Sequence, residues 1–99
     1  MDELTRLVMK IICGSGGGLH ILDVLRQYNE LVFAGNALCT NWSTAVLSIP
    51  GAGRFEVLIC ESVVYVLNYL DHAKAIRIKR DGEIELLDKG MCKEGGGKT

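Results

Sequence analysis

The stretch Ser62 to Gly90, SVVYVLNYLDHAKAIRIKRDGEIELLDKG, decides the fold, because its apolar period changes once, just after His72. Up to His72 the apolar residues Val63, Val66, Leu67 and Leu70 recur at helical spacing and share one face. Ser62 suits the N-cap, since its hydroxyl can accept from an N–H of the first turn that has no partner within the helix. Beyond His72 the pattern alternates. Ile76 and Ile78 point one way and Arg77 and Lys79 the other; after Asp81-Gly82, Ile84 and Leu86 continue the apolar face and Glu83 and Glu85 the polar one. A two-residue loop would set Ile78 against Glu85. A three-residue loop, Arg80-Asp81-Gly82, instead pairs Lys79 with Glu83, Ile78 with Ile84, Arg77 with Glu85 and Ile76 with Leu86. Every pair then matches in character, and Gly82 supplies the positive φ that this turn-plus-bulge requires.

Upstream, Asp2 to about Cys13 carries Leu4, Leu7, Val8, Ile11 and Ile12 on one stripe, with Asp2 and Glu3 at the favourable end of the helix dipole. Gly14-Ser15-Gly16-Gly17-Gly18 ends this helix. It is read as a flexible turn, because its glycine spacing and the helix before it fit no phosphate-binding loop. Leu19-His20-Ile21 suits a short strand, and Ile21, Leu22, Val24, Leu25 and Tyr28 a second helix ending near Asn29 or Glu30.

The middle, residues 31–61, is less decisive. Residues 44–49 suit a short helix capped by Asn41, Ser43 or Thr44, but Val46, Leu47 and Ile49 sit equally well in a strand. Pro50-Gly51-Ala52-Gly53 breaks the chain, and the alternation of Phe55, Val57 and Ile59 with Glu56, Leu58 and Cys60 favours a strand. Trp42 suits a partly buried anchor, with ligand stacking as the other reading. The segment 91–99, MCKEGGGKT, is polar and glycine-rich and is expected to be a flexible tail after a single domain over 1–90. Its closing GGGKT imitates a Walker A loop but has Cys92 where that motif needs glycine.

Ninety-nine residues at 48% hydrophobic and 23% charged are enough for one globular core. No apolar run reaches the ~18 residues of a membrane span. The start, MDELTRLVMK, lacks a basic signal-peptide region, so the expectation is a cytoplasmic chain without membrane contact. Cys13, Cys39, Cys60 and Cys92 are widely scattered without C-x-x-C, which predicts reduced thiols and no metal site. His20 and His72 are the only histidines, and no paired carboxylates or triad order accompany them, so neither catalysis nor a cofactor is expected. The net charge of −1 counts against nucleic acid, since most duplex-binding domains are basic.

The order of helix, short strand, helix, middle, helix and hairpin is that of a winged helix-turn-helix. MKIICGSGGGLHILDVLRQY resembles the first-helix, glycine-turn and second-helix passage of PadR-like regulators, and SVVYVLNYLDHAKAIRIKRDGEIELLDKG resembles the recognition helix and wing of PadR- and MarR-like proteins. Together they span about half of the chain. The departure is the middle, where those families have only a short connection. The resemblance implies an α+β fold of about three helices with a C-terminal hairpin wing and an inserted middle segment. It also implies a transcriptional regulator that binds double-stranded DNA. The face of the third helix that would enter the major groove carries Ser62, Tyr65, Asn68, Tyr69 and His72, and Lys74, Arg77, Lys79 and Arg80 would meet phosphates. Against this, Arg77 and Lys79 face Glu85 and Glu83 across the hairpin, and Tyr65 and Tyr69 at helical spacing also suit a core.

Such a core is already supplied by Leu4, Leu7, Ile11, Leu22, Leu25, Val63, Leu67, Leu70, Ile78 and Ile84. The middle adds Leu31, Val32, Phe33, Leu38, Trp42, Val46, Leu47, Ile49, Phe55, Val57 and Ile59. That surplus predicts an apolar patch and a homodimer built on residues 31–60 or the first helix. The competing expectation is an α+β module for protein–protein assembly that binds no DNA.

Overall fold

The computed structural model describes residues 2–16 and 18–95. The chain runs α1 (Glu3–Gly14), β1 (Leu19–His20), α2 (Ile21–Phe33), β2 (Trp42–Ile49), β3 (Gly53–Cys60), α3 (Glu61–His72), β4 (Ile76–Ile78), β5 (Glu83–Leu86) and α4 (Gly90–Gly95). It is an α+β protein with two separate antiparallel sheets. One has the order β1-β5-β4; the other is the β2–β3 hairpin.

The hairpin β4–β5 has the expected register, Ile76 opposite Leu86, Arg77 opposite Glu85 and Ile78 opposite Ile84. The Lys79 N–H donates to the Glu83 carbonyl at 2.8 Å and the Gly82 N–H to the Lys79 carbonyl at 2.9 Å, closing the three-residue loop with Gly82 at φ +92°. The third strand is added by β1, which pairs Leu19 with Ile84 and His20 with Glu83.

The core lies between the three long helices and this sheet. It is made by Val8, Met9 and Ile12 of α1, Val24, Leu25 and Tyr28 of α2, Val63, Val66, Leu67 and Leu70 of α3, and Leu19, Cys60, Ala75, Ile76 and Ile84. Tyr28 is buried with its hydroxyl donating to the Leu38 carbonyl at 2.7 Å, and burial pushes its phenol above the usual range. α1 is capped by Asp2, whose carboxylate accepts from the Thr5 N–H at 2.8 Å; hydrogen bonding by the Thr5 side chain, and then by its backbone N–H, holds it below the usual carboxylate range.

Several expectations are corrected. The cysteines are not reduced thiols: Cys13 is bonded to Cys92 and Cys39 to Cys60, at Cα separations of 5.6 and 6.0 Å. Sequence spacing hides both pairs, because each joins segments that only folding brings together. The segment expected to fray from Met91 instead forms α4 up to Gly95, tied to the end of α1 through Cys92. Residues 96–99, including most of GGGKT, and Gly17 lie outside the described residues. Ser62 is not the N-cap of α3. Cys60, extended through its pairing with Trp42, occupies that position without a side-chain capping hydrogen bond. The Glu61 N–H is satisfied instead by the Asn41 carbonyl at 3.0 Å.

α2 runs one turn past its expected end, to Phe33. Residues 44–49 are strand rather than helix, because eight register pairs from Trp42–Cys60 to Ile49–Gly53 satisfy them across the hairpin. The apolar stripe of α1 is rotated: Val8, Met9 and Ile12 are buried, while Leu4, Leu7 and Ile11 are half-buried at its flank. Leu22 and Ile78, also expected in the core, are likewise half-buried. Among the described residues, no helix is long and apolar enough to cross a membrane.

Candidate functional site

The residues singled out on α3 fall on two sides of the helix. Val63, Val66, Leu67 and Leu70 are buried, whereas Tyr65, Asn68, Tyr69 and His72 are exposed at spacings of three, four and seven residues, forming one outward stripe. The two tyrosines are 74% and 63% exposed, so they are not core residues at helical spacing. Tyr65 and Tyr69 border a cavity of about 610 Å³ shared with Asp2 and Thr5 of the α1 N-terminus and Met91 of α4. Ser62 stands apart. It is half-buried and lines a second cavity of about 460 Å³ with Leu4, Leu7 and Tyr28.

α3 ends in a Schellman motif, with the Ala75 N–H donating to the Leu70 carbonyl at 3.0 Å and the Lys74 N–H to the Asp71 carbonyl at 3.1 Å. The left-handed residue of this motif is Lys74, at φ +64°, the only described non-glycine residue with positive φ. Glycine normally stands there, and a lysine costs about 1 kcal/mol. The motif leaves Lys74 exposed between α3 and β4.

The other cations of the β4–β5 hairpin divide. Arg77 is paired with Glu85 at 3.6 Å and Lys79 with Glu83 at 3.7 Å. Arg80 is exposed at the loop tip and has no ion pair among the described residues; the same holds for Lys74. The neighbouring acids are already engaged: the Asp71 carboxylate accepts from the Ile78 N–H at 3.3 Å and that of Asp81 from the Glu83 N–H at 3.0 Å. The electropositive part of the site therefore reduces to Lys74 and Arg80, on either side of β4.

A residue outside the expected set holds this geometry. The His20 ring contacts the Asp81 carbonyl through Nε2 at 2.8 Å, and its Nδ1 accepts from the Leu22 N–H at 3.1 Å. This pattern requires the tautomer protonated on Nε2. Asp23 returns the bond, its carboxylate accepting from the His20 N–H at 3.1 Å, so His20 caps α2 and holds the β4–β5 turn at once. The Ile21 N–H adds a bond to the Gly82 carbonyl at 2.8 Å. A Cβ on Gly82 would lie 2.5 Å from His20 Nε2, a second reason for glycine there. The signal was present as His20-Ile21-Leu22-Asp23, a capping box with histidine in place of serine or threonine.

The middle segment does not separate α2 from α3 in space. The Glu61 N–H meets the Asn41 carbonyl and the Cys39–Cys60 disulfide closes the same point, so the β2–β3 hairpin leaves the body and returns to where it began. Trp42 is stacked on Phe33, ring centroids 5.9 Å apart, and Ser43 Oγ donates to the Glu61 carboxylate. With the hairpin set aside, α2 and α3 are joined by residues 34–41. No protein-family profile, curated protein or solved structure matches the chain.

Proposed function

We propose that this chain is a DNA-binding transcriptional regulator of winged-helix type that acts as a homodimer. In this reading α3 enters the major groove with Tyr65, Asn68, Tyr69 and His72, and the β4–β5 hairpin is the wing. The observation that carries it is the outward stripe of α3 together with two cations, Lys74 and Arg80, that have no ion pair among the described residues. The sheet order β1-β5-β4 beneath three helices supports the winged-helix arrangement, and the return of the inserted hairpin to Asn41 and Glu61 supports a helix-turn-helix relation of α2 to α3. Arg77 and Lys79, already paired within the wing, contribute less than Arg80, and half-buried Ser62 stands at the margin of the reading face. Asn68 is the residue suited to read adenine.

Such a regulator works in the cytoplasm, without cofactor, membrane contact or catalysis of its own. The two disulfides count against this compartment, because cytosolic thiols are ordinarily kept reduced.

The test is binding to random duplex DNA across a salt series. Affinity is expected to fall steeply with salt, and Arg80→Glu to weaken binding to all sequences and flatten the slope. Asn68→Ala should cost specificity instead, on the order of 1–3 kcal/mol at one base pair. Unchanged duplex binding by Arg80→Glu removes the wing from the interface. No salt-dependent binding at all favours the second reading, an assembly module that binds protein and not DNA. That alternative draws on the net charge of −1 and on Val46, Phe55 and Leu58, exposed at 55%, 46% and 38% on the inserted hairpin.

A further inference from the structure

We propose that two copies of the chain join through the free edge of β3, in a two-fold pairing that makes one sheet of order β2-β3-β3-β2 with Phe55 opposite Phe55. The inference rests on the homodimer half of the reading above and is independent of DNA binding.

Its basis is the register of the inserted hairpin. The Glu61 N–H donates inward to Asn41, and Leu58 presents its carbonyl outward, where it accepts from the Asn29 side-chain amide at 2.9 Å. Residues alternate along a strand, so Phe55 and Val57 bond inward to β2 while Arg54 and Glu56 turn their N–H and C=O groups outward. α2 covers this edge at Leu58 through Asn29, and no backbone bond of the described residues occupies Arg54 or Glu56 beyond it. The edge is an open template.

Arg54 and Glu56 choose what fits it. Within their own hairpin they face Ser48 and Val46, so neither charge has a cross-strand partner. They stand two residues apart on the same face of one strand. With Phe55 opposite Phe55 across a two-fold axis, Arg54 exchanges both backbone bonds with Glu56 of the second copy, and Glu56 with Arg54. The same pairing sets their opposite charges side by side twice. Slipping the register by two residues either way places Arg54 against Arg54 or Glu56 against Glu56, which like-charge repulsion opposes. The strand is thus complementary to itself in one register.

The opposite face agrees. There Ala45, Leu47, Phe55 and Val57 form an apolar surface, and the pairing joins two such surfaces across the Phe55 contact. Val57 and Leu58 come to lie opposite Gly53 and Ala52 of the second copy. These small residues fall where space is most limited, beside a groove of about 340 Å³ lined by Leu22, Arg26 and Asn29 of α2 together with Glu56, Val57 and Leu58. β2, in contrast, carries no charge over Trp42–Ile49 and selects no register of its own.

Sedimentation equilibrium on the full disulfide-bonded chain tests this. The wild type should give twice the 10.8 kDa chain mass. Arg54→Glu and Glu56→Arg should each weaken the dimer roughly tenfold or more by creating two like-charge pairs. The double variant Arg54→Glu/Glu56→Arg, which restores both pairs in reversed order, should recover it; that recovery separates an interface effect from damage to folding. With no free cysteine among the described residues, Phe55→Cys should give a disulfide-linked dimer on mild oxidation. A monomer at high micromolar concentration overturns both this pairing and the dimer in the proposed function. A dimer indifferent to both single charge reversals, or one cross-linked through Val46→Cys and not through Phe55→Cys, overturns this pairing alone.

Discussion

The two hairpins of this protein solve the same problem in opposite ways. β4–β5 is short, three residues against four, yet β1 covers its edge, His20 and Ile21 hold its turn, and its polar face closes on itself through Arg77–Glu85 and Lys79–Glu83. β2–β3 is eight residues on each side and is held to the body near its base, by the Cys39–Cys60 disulfide, the Glu61–Asn41 bond and Asn29. Its charges face uncharged residues, while Leu47 faces Phe55 and Ala45 faces Val57. A two-stranded ribbon is marginal in isolation; the first is completed within the chain by β1, whereas the second remains two-stranded.

Removing the staple of the inserted hairpin should have the largest effect on the contrast. Cys39→Ser with Cys60→Ser opens a loop of 21 residues in sequence separation and should cost about 3 kcal/mol in thermal or denaturant unfolding. Hydrogen exchange should then accelerate throughout β2–β3 while β4–β5 stays protected. Equal loss of protection in both hairpins would show that they unfold as one unit and erase the distinction.

Gly82→Val attacks the other hairpin. The substitution forces a β-branched residue to positive φ and drives its Cβ into His20, for a loss of about 2–3 kcal/mol. Part of that loss belongs to the histidine, so His20→Ala should make the glycine substitution less damaging than in the wild type. A double-mutant cycle with no coupling would mean that the β4–β5 turn stands without the imidazole.

Lys74→Gly is expected to have the smallest effect and the opposite sign. Relieving the left-handed lysine should stabilise the fold by about 0.5–1 kcal/mol, and under the proposed function the loss of a cation that has no ion pair among the described residues should weaken duplex binding. A gain in stability with unaltered duplex binding would remove the strained lysine from the proposed DNA contact.

Much of β4–β5 is legible in the residues themselves. Ile78 against Ile84 and the positive φ of Gly82 follow from alternation and turn chemistry within a dozen residues, and the structure has both. The helical stripe of Val63, Val66, Leu67 and Leu70 is legible for the same reason. The inserted hairpin is not. Thr44 to Ile49 fits a helix or a strand locally, and its state is settled by residues 53–58 pairing with it across Pro50-Gly51-Ala52.

By itself, then, the sequence determined the elements whose signal lies in neighbouring residues: α1 and α3 from their period, and the register of β4–β5 from its alternation and its glycine. Tertiary structure alone decided which cysteines meet, which stripe of α1 faces inward, and that His20 reaches from the cap of α2 to the turn of β4–β5. Each of these joins residues far apart in the chain, 79 for Cys13 and Cys92 and 61 for His20 and Asp81. Periodicity carries no information about such contacts. They are selected when the helices pack and the loops close, through the burial of Val8, Met9 and Ile12 against the rest of the core and through polar groups that must find partners once water is excluded.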